Sequence, residues 1–441
     1  MGLASRKKPQ YKGCFLMATI SVSPTAYRRV VAIAALGYLV DIFDLIIFGI
    51  VRVQSLRDLG LNEEQIITSG IDILNAQMIG MLIGGLLWGA VGDKFGRVKV
   101  LIGSILLYSS ANIMTGFISS VDEYMLWRFI GGIGLAGELG AGVTLALESM
   151  PKNIRGLGGA FIAAVGVLGA VLAEVIVNFV DWRTAYIIGG VMGLVVMCFR
   201  FTLHESEMFK NHKADKVAHG SFLSILASRQ LFGKYLACVL IGVPIWFSIG
   251  LLAYFAPEFA KALNIDGAIS AGKAIMYMYI GMSIGGITSG LLSQVLKSRR
   301  KAIFAYMGLL AVGVVVYSQF TGASVAQFYS MLVFLGIGAG YWSLLTINAS
   351  EQFGVNFRAT AATTVPNFVR GAVVPMTLAF SALRHDTGML DAAMIVGAVV
   401  FVLAAVAAWR LPETFHKDLN LLEGATSPHD HGSGSSGSKA A

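Results

Sequence analysis

The chain has 441 residues, of which 56% are hydrophobic and 13% charged, with a mean hydropathy of +0.72. Soluble domains carry about 25% charged residues, so the composition excludes an ordinary soluble enzyme and points to a polytopic membrane protein. The net charge of +8 comes from Lys and Arg beside apolar runs, which read as topology signals and not as a nucleic-acid-binding face.

A spanning helix needs about 20 apolar residues. In chain order the predicted spans are 28–52, 68–92, 99–119, 123–148, 157–180 and 184–204, then 233–256, 271–295, 302–320, 326–350, 360–383 and 388–411. The expected organisation is a cytoplasmic tail (1–27), a six-helix bundle (28–204), a polar cytoplasmic linker (205–230), a second six-helix bundle (231–411) and a cytoplasmic tail (412–441). The N-terminal stretch is basic and mixed, which does not suit a cleavable signal peptide. The Gly- and Ser-rich end from about Ser427 reads as linker or an expression remnant. Cys14, Cys198 and Cys238 are scattered and form no metal spacing or disulfide framework.

Basic residues set the orientation. Arg28 and Arg29 open the first span, and Lys94, Arg97 and Lys99 lie at the junction of the second and third. Lys152 and Arg155 follow the fourth, and Lys297, Arg299, Arg300 and Lys301 follow the eighth. The opposite loops hold fewer, among them Arg52, Arg57, Lys261 and Arg384, so both termini are expected in the cytoplasm. The halves repeat weakly. Gly285-Gly286-Ile287-Thr288-Ser289-Gly290 echoes Gly84-Gly85-Leu86-Leu87-Trp88-Gly89, and Gly336-Ile337-Gly338 echoes Gly132-Ile133-Gly134.

The loop Gly89-Ala90-Val91-Gly92-Asp93-Lys94-Phe95-Gly96-Arg97 resembles the signature between helices 2 and 3 of major facilitator transporters, with Gly89, Asp93, Lys94, Gly96 and Arg97 at its fixed positions. The second-half copy has Gln294 in place of the acid. Arg128-Phe129-Ile130-Gly131-Gly132-Ile133-Gly134, Glu148-Ser149-Met150-Pro151 with Arg155-Gly156, and Pro412-Glu413-Thr414 resemble motifs of sugar porters and organic-acid symporters. Asp41-Ile42-Phe43-Asp44 and Gly137-Glu138-Leu139-Gly140 look like the metabolite:proton symporters, although Met78-Ile79-Gly80 departs from that branch in the second helix. The resemblance implies an all-α fold of 12 transmembrane helices in two pseudo-symmetric six-helix bundles. It implies alternating access at a site between them. The signature loop, with Asp93 near Arg155 and Arg97 near Glu148, would latch the cytoplasmic end, and Gly89 would permit close helix contact. The loop would otherwise be a topology anchor alone.

Ionisable groups inside a bilayer cost on the order of 2.5–3.5 kcal/mol each and mark function when they persist. Asp41 and Asp44 share a helix face. Two close carboxylates resist ionising together, which suits one of them to carry a proton. Asp44 lies roughly 25 Å from Tyr27 along its helix, and Arg128 roughly 30 Å back from Glu148. The two could form an ion pair, either coupling protons or simply structural. Glu138 could be a second proton site, a substrate contact, or a carboxylate hydrogen-bonded to Asp41 or a hydroxyl. Glu174 and Asp72 are weaker candidates.

Arg370 is the substrate candidate, because its planar fork matches a carboxylate or phosphate and no acid in the second-half spans is an obvious mid-membrane partner. Snorkelling to the surface is the alternative. Asn367, Tyr341, Trp342, Asn348, Trp246, Tyr277, Tyr279 and Gln77 could add hydrogen bonds and an aromatic wall, or only pack. The reading is a proton-coupled importer of a small organic anion or zwitterion, with a neutral-solute transporter or an exporter as the alternative. The expected partners are a small carboxylate, protons and the lipid bilayer. A monomer in a bacterial inner membrane is expected, with no metal, no cofactor, no nucleic acid and no enzymatic activity.

Overall fold

The computed structural model describes residues 24–138, 155–201 and 222–415, together with Gly142 and Met150. Before residue 202 the helices are α1 (Pro24–Asp58), α2 (Glu63–Phe95), α3 (Arg97–Thr115), α4 (Val121–Leu135), α5 (Arg155–Val177) and α6 (Trp182–Arg200). After residue 221 come the short α7 (Phe222–Ala227), α8 (Arg229–Phe247) continuing into a π-helical turn (Ser248–Ala253), α9 (Ala256–Ala262), α10 (Ala271–Val295), α11 (Arg299–Ser318), α12 (Val325–Ala339), α13 (Trp342–Gln352), α14 (Val355–Gly371), α15 (Val373–Thr387) and α16 (Met389–Arg410). Among the described residues, nine helices are long and apolar enough to cross a bilayer. The single seventh, tenth and eleventh spans expected from hydropathy are interrupted. The breaks fall at the π turn, at Gly340–Tyr341 and at Ala372.

Local chemistry fixes the ends. Asn62 and Gln65 form a reciprocal capping box at the start of α2, and Ser324 and Gln327 do so at α12. Asp181 caps α6 by accepting from the N–H groups of Arg183 and Thr184. A single residue, Gly96, separates α2 from α3, and its φ of 97° is one that a side chain would strain. This conformation lets the signature loop reverse the chain with one residue between helices.

The halves share a construction. In the first, α1 packs on α5, α2 on α4, and α3 on α4 and α6. In the second, α10 packs on α12, α11 on α12 and α16, and α8 on α16. Backbones touch at the repeated glycines. A Cβ at Gly80 would fall 2.2 Å from the Phe129 carbonyl oxygen, and one at Gly132 2.2 Å from that of Gln77. Gly281 and Gly336 play the same part between α10 and α12, each 2.1 Å from a facing carbonyl. In lipid, helices associate through such small-residue packing. The halves meet through α2 against α14 and α15, and through α1 and α5 against α10.

Candidate substrate and proton site

Among the described residues, the centre of the first half holds two buried ion pairs. Arg128 on α4 donates from Nη1 to Asp44 Oδ1 at 3.0 Å and to Asn112 Oδ1 at 3.1 Å, and from Nη2 to the Asp44 carbonyl oxygen at 2.8 Å. Its guanidinium also lies 5.5 Å from the Tyr186 ring centre. Helix α1 thus presents both a side-chain and a main-chain oxygen to one fork. The pairing with which the helix depths are compatible is formed.

The second pair joins Glu138 to Arg200 at the end of α6. Arg200 Nη1 donates to the two carboxylate oxygens at 2.6 and 2.5 Å, and Ser104 Oγ donates to Oε1 at 2.7 Å. Of the partners the sequence suggests for Glu138, the hydroxyl is present and Asp41 is not. The main partner, Arg200, stands in no motif, and sequence reasoning misses it. It reaches Glu138 by passing over Gly37 of α1, where a Cβ would sit 2.0 Å from Arg200 Nη2.

Asp41 belongs to neither pair, although it lies on the same helix as Asp44. It lines a central cavity with Tyr38, Ile42, Leu45, Met81, Leu135 and Arg370. The cavity's volume is about 10 Å³, room for about one water. Asp41 and Arg370 are both buried, and Asp41 Oδ1 and Arg370 Nε have no hydrogen-bond partner. The Arg370 guanidinium lies 5.8 Å from the Trp246 ring and 5.5 Å from the Trp342 ring. Its hydrogen bond to Asn367 Oδ1 is long, 3.5 Å. Asn367 in turn donates from Nδ2 to the Ala136 carbonyl oxygen at 3.0 Å, tying α14 to the first half. Arg370 does not snorkel.

Other expected wall residues are engaged elsewhere. The Tyr341 hydroxyl donates to the Ile241 carbonyl oxygen at 2.9 Å. Asn348 accepts from Gln352 and from Thr414 near the end of α13. Tyr277 packs on Tyr329 with ring centres 5.1 Å apart, and the Tyr329 hydroxyl accepts from the Ser270 N–H at the start of α10. These three make packing and helix-end contacts in this structure, and a helix buried on most sides does not reveal from sequence which polar side chain faces the cavity. Gln77 donates to the Leu45 carbonyl oxygen at 3.1 Å and leaves Oε1 unpartnered. Tyr279 is buried. Asp72 is exposed, and Glu174 accepts from Asn178 at 3.2 Å.

The two ends of the molecule differ. At the signature-loop end, the side chains of Asp93, Lys94, Arg97 and Arg155 and the whole of Glu148 lie outside the described residues. A Cβ at Gly89 would meet no described atom within 4 Å, and among the described residues the close contacts of α2 lie earlier in the helix, at Gly80 and Gly84. On the second-half side, Arg299 pairs with Glu351 at 3.3 Å. Glu413 accepts from the Ser298 hydroxyl and from the N–H groups of Arg299 at 2.9 Å and Arg300 at 3.3 Å. Partial burial would raise the Glu413 pKa. The hydrogen bonds from Ser298, Arg299, Phe415 and Thr414 outweigh it and hold the group down at about 2.

At the opposite end three ion pairs cross between the halves. Arg52 of α1 meets Glu258 of α9 at 2.7 Å, Glu63 of α2 meets Lys261 at 2.8 Å, and Glu64 pairs with Arg384 of α15. Arg52 is fully buried, and it also donates to the carbonyl oxygens of Tyr254 at 3.2 Å and Ile66 at 3.4 Å. From sequence these basic residues read only as sparse loop charges. Beside this latch, a cavity of about 520 Å³ lies between α1, α5 and the start of α10, lined in part by Arg57, Glu174, Asn178 and Ser270.

This two-halved helical fold has known counterparts. Residues 34–377 match the family model of the Major Facilitator Superfamily. The chain belongs to that superfamily. A Haemophilus influenzae protein named for metabolite transport is 30% identical over 408 residues, 88% of this chain and 96% of its own. The niacin transporter NiaP of Acinetobacter baylyi is 25% identical over 424 residues, 88% of this chain and 95% of its own. The crystal structure of a D-xylose–proton symporter shares the fold, with a TM-score of 0.68 at 19% identity, over 89% of this chain and 99% of that one. This superfamily member is therefore a multi-pass membrane transporter of small molecules and not an enzyme.

Proposed function

We propose that the protein is a proton-coupled symporter that imports a small organic carboxylate across a bacterial inner membrane by alternating access, with both termini in the cytoplasm. The observation that carries this reading is Arg370. A buried guanidinium with an unpartnered Nε, beside two tryptophan rings and facing a cavity, is a receptor for a planar anion. The Trp246 and Trp342 rings and the apolar lining of Ile42, Leu45, Met81 and Leu135 favour a substrate with a flat or apolar body. The niacin transporter among the relatives, named for a pyridine carboxylate, supports the same substrate class.

In this reading the 28–204 and 231–411 halves rock about the site, and protonation within the Asp41, Asp44, Arg128 and Glu138 group favours one opening over the other. The closed latch at Arg52–Glu258 and the small central cavity fit an occluded form or one facing the cytoplasm. A zwitterion is the second reading, favoured by Asp41 lying in the same cavity as Arg370.

A thermal-shift screen of carboxylates, amino acids and sugars, followed by uptake into proteoliposomes under an imposed pH gradient, tests the reading. Carboxylates should stabilise the protein, and Arg370→Ala should weaken binding by about 10- to 100-fold, the range of a charged hydrogen bond of about 1.5–3 kcal/mol. Unchanged carboxylate affinity in Arg370→Ala, or stabilisation by sugars alone, would overturn it.

A further inference from the structure

We infer that Asp41 alone carries the coupled proton, and that one proton accompanies each monovalent anion. The inference rests on the carboxylate reading of Arg370 given above. Its basis is the charge inventory of the central region. Among the described residues, three carboxylates are buried there, Asp41, Asp44 and Glu138, facing three guanidinium groups, Arg128, Arg200 and Arg370. Asp44 is held by Arg128 and Glu138 by Arg200, at 3.0 and 2.5 Å. Each of those acids lies against a fixed cation, so adding a proton would leave a buried guanidinium without its counter-charge. Breaking a buried pair this way is costly.

The remaining charges are Asp41 and Arg370. They share one cavity without a hydrogen bond between them, and each has an unpartnered atom. With the site empty, the six groups sum to zero. A carboxylate arriving on Arg370 takes the sum to −1 in a water-poor interior, where uncompensated charge is expensive. A proton from the outer solution on an Asp41 oxygen restores neutrality. After the site opens inward, the anion and that proton leave together.

The other groups that act on Asp41 are accounted for. Its charged neighbours are Glu138, Arg200, Asp44 and Arg370, the first three being members of the pairs. Tyr38 on its own helix and Tyr108 on α3 are phenols without charge near neutrality. From α10, Tyr279 acts on Arg370 and Tyr38. Glu174 of α5 lies away in the wider cavity near Arg57 and Ser270.

The test uses full-length protein in liposomes, with benzoate and nicotinate as probes. If one proton is bound with each anion, benzoate affinity should fall about tenfold per pH unit on the alkaline side of the Asp41 titration, by reciprocal linkage. Asp41→Asn, a neutral mimic of the protonated acid, should abolish that slope. Asp41→Glu, Asp44→Glu and Glu138→Asp, which leave the charge sum unchanged, should keep it. Infrared difference spectra between acid and alkaline pH, without ligand, should show a protonated-carboxyl carbonyl band that disappears only in Asp41→Asn. Uptake should carry no net charge on a solid-supported membrane. A slope or band that survives in Asp41→Asn, a slope lost in Asp44→Glu, a sustained transport current, or pH-independent binding would each overturn the inference. Failure of every carboxylate to bind would instead sink the carboxylate reading, while the infrared band still tests Asp41.

Discussion

Arg52 of α1 and Glu258 of α9 form a 2.7 Å ion pair across the two halves, at the end of the molecule away from the signature loop. The guanidinium is fully buried, lies 4.4 Å from the Phe255 ring centre and reaches two carbonyl oxygens of different halves, Ile66 and Tyr254. Unlike the exposed Glu63–Lys261 pair nearby, this contact is sheltered from salt screening. For an alternating-access carrier, it has to break whenever that end opens.

Glu258→Gln should therefore weaken the closed form. Losing one member of a buried pair costs about 3–5 kcal/mol, and here part of that cost is relieved by opening. Spin-label distances between the start of α2 and α9 should lengthen, with the melting temperature reduced. An unchanged distance distribution would refute a gating role.

The Asp44–Arg128 pair invites a separation of stability from coupling. Arg128→Ala leaves a buried Asp44 without its cation and should destabilise the protein by about 3–5 kcal/mol. The double replacement Asp44→Leu with Arg128→Met should recover most of that loss, since apolar residues of similar volume substitute well for a buried pair. Because Asp41 remains and the charge sum is unchanged, uptake driven by a pH gradient should return with stability in the double variant. Uptake that stays lost there at recovered stability would give the pair a part in coupling beyond that of a static brace.

Gly37→Ala probes Arg200 without touching a charge. The new methyl would occupy space 2.0 Å from Arg200 Nη2, pushing the fork off Glu138. Overpacking of this kind costs about 1–3 kcal/mol, so the variant should still fold. Its uptake should fall much further than its melting temperature suggests. Parallel assays of both quantities decide the matter.

Glu413 predicts an acid limit for the signature-loop end. Its pKa is lowered in the folded protein, to about 2 from an ordinary 4.5, so the protonated form favours the unfolded chain. The stabilisation is complete above about 4.5 and is lost as the pH falls toward about 2. Thermal melts should show this loss, and Glu413→Gln should flatten it.

Hydropathy makes the helical fold legible, because lipid demands long apolar runs and leaves few architectures. Helix depth is enough to suggest Asp44 with Arg128, and Arg370 stands out as a cation without an acid nearby. Azimuth is the missing variable. In helices buried on several faces, Tyr341, Asn348 and Tyr277 look no different from Asn367 or Trp342. Arg200 stands at the end of its helix and in no motif. Only its fold back over Gly37 brings it to Glu138, and the sole hint is a membrane glutamate that needs a cation. Likewise, Arg52 and Glu258 are 206 residues apart, and no local pattern links them.

The π turn at Ser248–Ala253 has a consequence for how such carriers diversify. Tyr254 donates its N–H to the Ile249 carbonyl five residues back, so this turn holds one residue more than an α-helix would. Each residue rotates the next by roughly 100° about the helix axis. Deleting one would swing α9, and Glu258 with it, around the axis and away from Arg52. A change of chain length by a single codon, with every charged residue left in place, would then be enough to reset which way the empty carrier rests.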